Sequence, residues 1–305
     1  IDVQFLNPTF LVGPFVQAGR ARRFDLLPRI RRAWNQWSTD LVAGHTDRLM
    51  PVAQIDWNDV PGAVAEMTRM RKRGSRGFTL NESPVGVGRF GGDGASPLAR
   101  SITHPDFEPI WSAAEDLGMA AVAHVGFGRE RIQFGWANNG TNDLSTYSLL
   151  NMVITPQLAP QLLLGALVFD GVLERHPQLT VIVEEVGITW LPHLVGMLDH
   201  AVGLANREQL ADGEFRPDFA GPAYKLPLKP SEYLRRQVTV TPLVVNEPIL
   251  PVLDQVGPEM LCFSSVYPHV EGTASAVQIC ERQLAACAPL VKETFYGGVA
   301  QRVGL

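Results

Sequence analysis

Residues 179–200 read LTVIVEEVGITWLPHLVGMLDH, and the fold is decided in this stretch. LTVIV is an apolar, β-branched run with no polar alternation. A strand of that kind is buried on both faces, as in a parallel sheet covered by helices. Two acids and a glycine follow. Then Trp190, Leu194, Met197 and Leu198 recur at three- and four-residue spacing, which predicts a helix with one packed face. Strand, charged turn and helix make a βα unit.

The same grammar extends outward in both directions. Short apolar runs stand at 2–7 (DVQFLN), 49–55 (LMPVAQI), 77–80 (GFTL), 119–125 (MAAVAHV), 179–186, 238–243 (VTVTPL) and 260–266 (MLCFSSV). Helical patterns lie between them. Asp59 is placed to cap a helix with Pro61 in its first turn, Val64 and Met67 inward and Gly74 as its stop. Asp106 and Gly118 bracket another, with Ile110, Ala113 and Ala114 inward. Ile30, Ala33, Trp34, Trp37 and Leu41 form an apolar stripe expected to pack into the core. Leu163 and Leu167 belong to a helix that ends before His176-Pro177. The expected fold is α/β: a (β/α)8 TIM barrel in one domain over residues 1–305, one strand short of closure.

Composition excludes several classes. The net charge is −5, and the basic clusters at 20–32 and 69–74 read as solvated helix ends, not a nucleic-acid surface. No run of 18 apolar residues predicts a membrane span. The N-terminal stretch reads as a strand without the basic region of a signal peptide. Three cysteines, Cys262, Cys280 and Cys287, form no CxxC pattern and point to a reducing, cytoplasmic setting. GRFGGDG at 88–94 has no following Lys-Ser/Thr and is not a phosphate loop. No G-x-S-x-G elbow occurs. The long segments 83–103 and 126–158 follow strands, so both are expected on the C-terminal face of the barrel, where active sites are built.

ARSITHPDFEPIWSAAEDLGMAAVAHVG (99–126), GVLERHPQLTVIVEEVGITWLPHLVGMLDHAV (171–202), FSSVYPHVEG (263–272) and YGGVAQRVGL (296–305) together resemble the amidohydrolase-related family. The branch is the one that includes aminocarboxymuconate-semialdehyde decarboxylase. IDVQFLNPT and TDRLMPVAQID look like that family's second and third strand regions. The resemblance implies a metal at the C-terminal ends of the strands, where it activates water or polarises a carboxylate. It also implies a first strand carrying a His-x-His pair. No His-x-His occurs in this sequence, so that strand is expected to be missing from this chain.

The resemblance assigns roles residue by residue. His124, ending AVAHV, matches a histidine metal ligand. Glu185, in EEVG, matches an acidic ligand or catalytic residue of an E-x-G branch. Strict alternation would let only one of Glu184 and Glu185 face the barrel, and Glu185 is the expected one. His269, in YPH, is a catalytic candidate. Val266 stands where the family has the aspartate that binds metal and moves protons, and Val299 where it commonly has asparagine. Arg129, Trp136, Asn138, Tyr267 and His104 are candidate substrate contacts.

Three readings follow. The favoured one is a metal-dependent hydrolase or decarboxylase for a small carboxylated or acyl compound, with a non-standard site holding zinc, iron or manganese, or no metal at all. A second is a degenerate subunit supporting an intact paralogue. A third is a dinuclear iron oxygenase on the same fold. A homo-oligomer, or a hetero-oligomer with a paralogue, is expected.

Overall fold

A computed structural model describes residues 2–8, 12–80, 100–125, 149–206, 224–243, 247–267, 269 and 272–305. Six parallel strands form one sheet in chain order: β1 (Gln4–Leu6), β2 (Leu49–Ala53), β3 (Gly77–Thr79), β4 (Ala120–His124), β5 (Val181–Glu184) and β6 (Val238–Val240). The seventh expected strand is reduced to a single parallel bridge between Val240 and Leu261. Sequential order with helical crossovers is the βα pattern read from the sequence. The sheet is a curved half-barrel. A closed eight-stranded barrel is not formed among the described residues.

Eleven α-helices flank the strands in the described residues: α1 (Val12–Arg20), α2 (Leu27–Leu41), α3 (Val60–Lys72), α4 (Glu108–Asp116), α5 (Leu149–Phe169), α6 (Val172–Arg175), α7 (Leu191–Ala205), α8 (Pro230–Gln237), α9 (Ile249–Val256), α10 (Ala276–Gln283) and α11 (Pro289–Arg302). None of them is long and apolar enough to cross a membrane. The Asp59 carboxylate accepts from the Gly62 amide at 3.0 Å, so α3 has the cap its sequence promised, worth about 1 kcal/mol. Met67 is fully buried below it, and Gly74 ends the segment at φ +96°. Ahead of α4 the cap is His104, not Asp106: its ring nitrogen accepts from the Asp106 amide at the start of a short 3-10 turn.

Two apolar layers result. The larger lies between sheet and helices and contains Phe78, Ile110, Trp111, Leu164 and Leu167. The smaller lies inside the curve of the sheet. Val52, Ala120, Val122 and Ile182 meet Val303 there, with Phe5 and Val299 against them. Side chains two apart share a strand face, so His124 follows Val122, and Glu184 follows Ile182, onto the inner side.

One helix is oriented against expectation. In α2 the buried residues are the polar Asn35, Ser38 and Thr39. The Asn35 side chain pairs with both backbone groups of Gln54, donating at 2.9 Å and accepting at 2.8 Å, and also donates to Glu66. That two-way bond fixes the helix rotation. Of the stripe, Ala33, Trp37 and Leu41 therefore face outward, Trp37 and Leu41 at 54% and 62% exposed, while Ile30 and Trp34 are partly buried. Apolar periodicity indicates that a face is shared, but not with what.

Candidate active site

Three chain segments bring the titratable groups together at the C-terminal end of the sheet. His124 ends β4 and Glu184 ends β5, paired in register with each other. Glu185 is the first residue beyond the strand. His269 sits in the loop that follows the Leu261 bridge.

Glu185 has φ +59°, in the left-handed region that non-glycine residues seldom occupy. The strand stops at Glu184, and this turn swings the next side chain back to the same side. Both acids therefore line the cavity, against the expectation that alternation would exclude one. Alternation holds only while the chain stays extended. The Glu185 amide is 3.3 Å from the Thr241 hydroxyl oxygen, which accepts from it. Glu247 braces the turn from behind: its carboxylate accepts from the amides of Ile188 (2.7 Å), Thr189 (3.4 Å) and Leu243 (2.6 Å). Gly187, at φ +73°, lies so close that a Cβ there would come within 2.6 Å of the Glu247 carboxylate.

Nε2 of His124 lies 3.2 Å from Oε2 of Glu185. Nδ1 of the same ring is 3.1 Å from the Val125 carbonyl. A carbonyl only accepts, so Nδ1 carries hydrogen there. The contact between Nε2 and the carboxylate then needs a proton between them. His269 Nδ1 stands 3.9 Å from the other oxygen of Glu185, at ion-pair range. Glu184 accepts from the side-chain amide of Asn7, the residue just past β1, at 2.5 Å. Burial raises the Glu184 pKa; the charge of His124 and the Asn7 bond pull it back, and the charge of Glu185 raises it further.

The loop bearing His269 is tight. Val266 has φ +53°, which for a β-branched residue costs about 1–2 kcal/mol. Gly272 packs on its backbone, and a Cβ there would fall 2.5 Å from the Val266 carbonyl carbon. Val266 itself offers neither a metal donor nor a proton. Cys262 lines the same wall, but burial pushes its thiol up to about 12, so it is no nucleophile near neutral pH.

These groups border a cavity of ≈ 740 Å³. It runs between β1 on one side and the 262–266 segment with α11 on the other, so it occupies the open seam of the sheet. Phe5, Phe263, Tyr267 and Tyr296 add aromatic wall. Its size is that of a small-molecule site. Among the described residues no group of three or more His, Cys, Asp or Glu could hold a metal ion. His124 and Glu185 are two adjacent donors, fewer than the three protein ligands of an open catalytic centre. The described residues therefore do not fit a complete metal site.

Tyr267 lies at the mouth, largely exposed. His104 is not in the cavity; it caps the turn before α4 and faces Asp106. Arg129, Trp136 and Asn138 lie outside the described residues. Sequence reasoning missed Asn7, Glu184, Thr241 and Glu247. Two other histidines, His193 and His200, are exposed on α7, and buried His176 is held between Glu108 (2.8 Å) and Glu115 (3.2 Å).

Residues 4–303 match the family model described as amidohydrolase. The chain belongs to the amidohydrolase family. Among solved structures it is similar to an amidohydrolase from Mycobacterium avium subsp. paratuberculosis K-10, at 20% identity and TM-score 0.71, covering 100% of this chain and 70% of that one. It is also similar to 5-carboxyvanillate decarboxylase from Sphingomonas paucimobilis, at 20% identity and TM-score 0.66, covering 99% and 77%. A third is dihydroxybenzoic acid decarboxylase from Polaromonas sp. JS666, solved with manganese and 2-nitroresorcinol, at 15% identity and TM-score 0.63, covering 90% and 75%. No curated protein sequence matches the chain significantly.

Proposed function

We propose that this protein is a lyase of the amidohydrolase type that decarboxylates a small carboxylated compound. The single observation that carries this is the His124–Glu185 contact at 3.2 Å, facing a small-molecule cavity beside the partly buried Glu184. Loss of CO2 leaves an electron pair on carbon, which must receive a proton. The hydrogen between Nε2 of His124 and Glu185 is the nearest source of one, and His269 is placed to return the pair to its starting state. The aromatic walls suit a planar substrate. Two of the similar structures are decarboxylases of carboxylated phenols, which supports this substrate class.

The experiment is CO2 release by the purified chain from a panel of hydroxybenzoates and methoxyhydroxybenzoates, with and without added manganese or zinc, alongside elemental analysis. Turnover of at least one compound, abolished in Glu185→Gln, is the expected result. No turnover of any compound in any metal condition overturns the proposal.

Two observations favour a second reading. Val266 occupies the place of an acid, and the described donors stop at two. A structural subunit that supports an intact paralogue would tolerate both. Its signature is an inactive purified chain that raises the activity of a co-expressed paralogue.

A further inference from the structure

Asn7 and Glu184 meet across the cavity. Asn7 follows β1 and Glu184 ends β5, and one bond joins them: Nδ2 of Asn7 donates to Oε2 of Glu184 at 2.5 Å. A carboxylate only accepts, so this contact fixes which end of the Asn7 amide faces it. The remaining oxygens, Oε1 of Glu184 and Oδ1 of Asn7, receive no hydrogen bond from any described residue. Neither is sealed from solvent, and both residues line the cavity. The pair therefore holds out two acceptors to whatever enters.

Charge narrows the ligand further. The described lining contains Asp2, Glu184, Glu185 and Glu281 and neither lysine nor arginine. Glu281 pairs with Lys292 at 2.9 Å, and Glu185 faces His124 at 3.2 Å. Asp2 is exposed. Glu184 is left with a neutral hydrogen-bond partner, Asn7. Two acceptors beside an acid call for a group that brings two hydrogens and no negative charge. A hydroxyl brings one, and once ionised it is repelled. A methoxy group brings none. An amino group brings two and keeps both. The walls around the pair are aromatic. Phe5 stands two residues before Asn7, and the rings of Phe263 and Tyr296 lie 5.5 Å apart on the facing wall.

We infer that Asn7 and Glu184 form a specificity-determining subsite for an amino substituent, so that the ligand of this cavity is an amino-substituted aromatic carboxylic acid. Its N–H groups go to Oε1 of Glu184 and Oδ1 of Asn7. Its carboxylate lies toward His124 and His269, the described lining groups that can carry positive charge. The carboxylic-acid half of this assignment rests on the decarboxylase reading, and the amino half rests on the Asn7–Glu184 pair alone.

Titration calorimetry on the full chain tests it, using ortho- and para-aminobenzoate with their hydroxy and methoxy analogues, and with CO2 release followed in parallel. An aminobenzoate is expected to bind about tenfold or more tighter than its methoxy analogue, the effect of a hydrogen bond to a charged group, with the hydroxy analogue between them. Glu184→Gln is the discriminating variant. Its oxygen keeps the bond from Asn7, so its NH2 end turns to the cavity and an acceptor becomes a donor. The amino preference should then be lost or reversed toward the methoxy analogue. Asn7→Ala should erase the advantage of amino over hydroxy. Aminobenzoates that fail to bind, or bind no tighter than their methoxy analogues, overturn the inference. So does an amino preference that Glu184→Gln leaves unchanged. CO2 release from hydroxybenzoates without any amino preference would keep the reaction and strike the subsite. An amino preference that Glu184→Gln removes, without CO2 release from any acid, would keep the subsite and strike the decarboxylase.

Discussion

Nε2 of His124 and Oε2 of Glu185 lie 3.2 Å apart although the two residues leave neighbouring strands by different routes, one along the strand and one through a left-handed turn. If they share one proton, neither works alone. Glu185→Gln and His124→Gln are each expected to lower kcat by about 10²–10⁴-fold. The double variant should be little worse than either single, as for groups that act as a unit. Steady-state rates on the substrate found in the CO2 screen provide the check. Full additivity of the two losses would mean separate roles.

The turn that carries Glu185 is braced by Glu247, which does not itself line the cavity. Glu247→Ala strands the amides of Ile188 and Leu243, bonded at 2.7 and 2.6 Å, in partly buried surroundings. Each such group costs about 1–3 kcal/mol when left unpaired. Denaturant melts should therefore show a loss of about 2–6 kcal/mol. The residual folded protein should also turn over more slowly, because the turn that aims Glu185 is released. Gln in place of Glu247 should rescue only partly, since its NH2 end must face one of the donors.

Much of the fold was legible in the sequence, and the reason is periodicity. Runs such as LTVIV and MAAVA, short and bounded by turn signals, read as interior parallel strands, and six of the seven expected strands form. The seventh shrinks to the bridge at Leu261 because its Cys-Phe-Ser-Ser continuation turns away to build the His269 loop. Periodicity failed on α2, where the buried face is polar. The pairing of Asn35 with the Gln54 backbone is a tertiary fact with no sequence signature. At the site, His124 and Glu185 were readable as residues just past apolar strands. Glu184 was not, because the alternation rule presumes a strand that continues, and the only trace of the turn was Gly187. Asn7 could be found only once β1 was seen to lie across the cavity from β5.

Glu184 gives a pH signature. Burial raises its folded pKa above the ordinary 4.5. A carboxyl with a raised folded pKa binds its proton more tightly when folded. Its contribution to stability is full below the unfolded value and is lost as pH rises through the folded value. The wild-type melting temperature should thus fall as pH climbs from 4.5 toward neutrality. Glu184→Gln, which keeps an oxygen for Asn7, should flatten that fall and melt higher than wild type at pH 7. Scanning calorimetry at stepped pH reads the difference. A variant that melts lower at pH 7 would mean the ionised carboxylate is favoured in the fold.

The three cysteines separate by chemistry. Cys280 is fully buried and its thiol is pushed up by burial to about 11, while Cys262 reaches about 12 for the same reason. Cys287 is only partly buried. Brief iodoacetamide treatment of the native protein at pH 8 should therefore label Cys287 and spare the other two, and denaturant should expose all three. Mass spectrometry of the peptides reads this directly. Rapid native labelling of Cys262 would reopen the case for a thiolate on the cavity wall, and would weaken the acid–base reading that rests on His124 and Glu185.

Val266 stores strain where the site needs shape. At φ +53° it pays for a β-branched side chain in a left-handed turn, a conformation that asparagine tolerates far better. Val266→Asn is expected to raise stability by about 1 kcal/mol in urea melts, since the backbone conformation is retained and the steric clash is relieved. The close seat of Gly272 on the Val266 carbonyl makes the opposite change informative. Gly272→Ala should unseat the loop, cost about 1–3 kcal/mol as an overpacked contact, and move His269 away from Glu185. If activity survives Gly272→Ala at the wild-type rate while stability falls, His269 takes no part in the proton transfer, and the His124–Glu185 pair alone carries it.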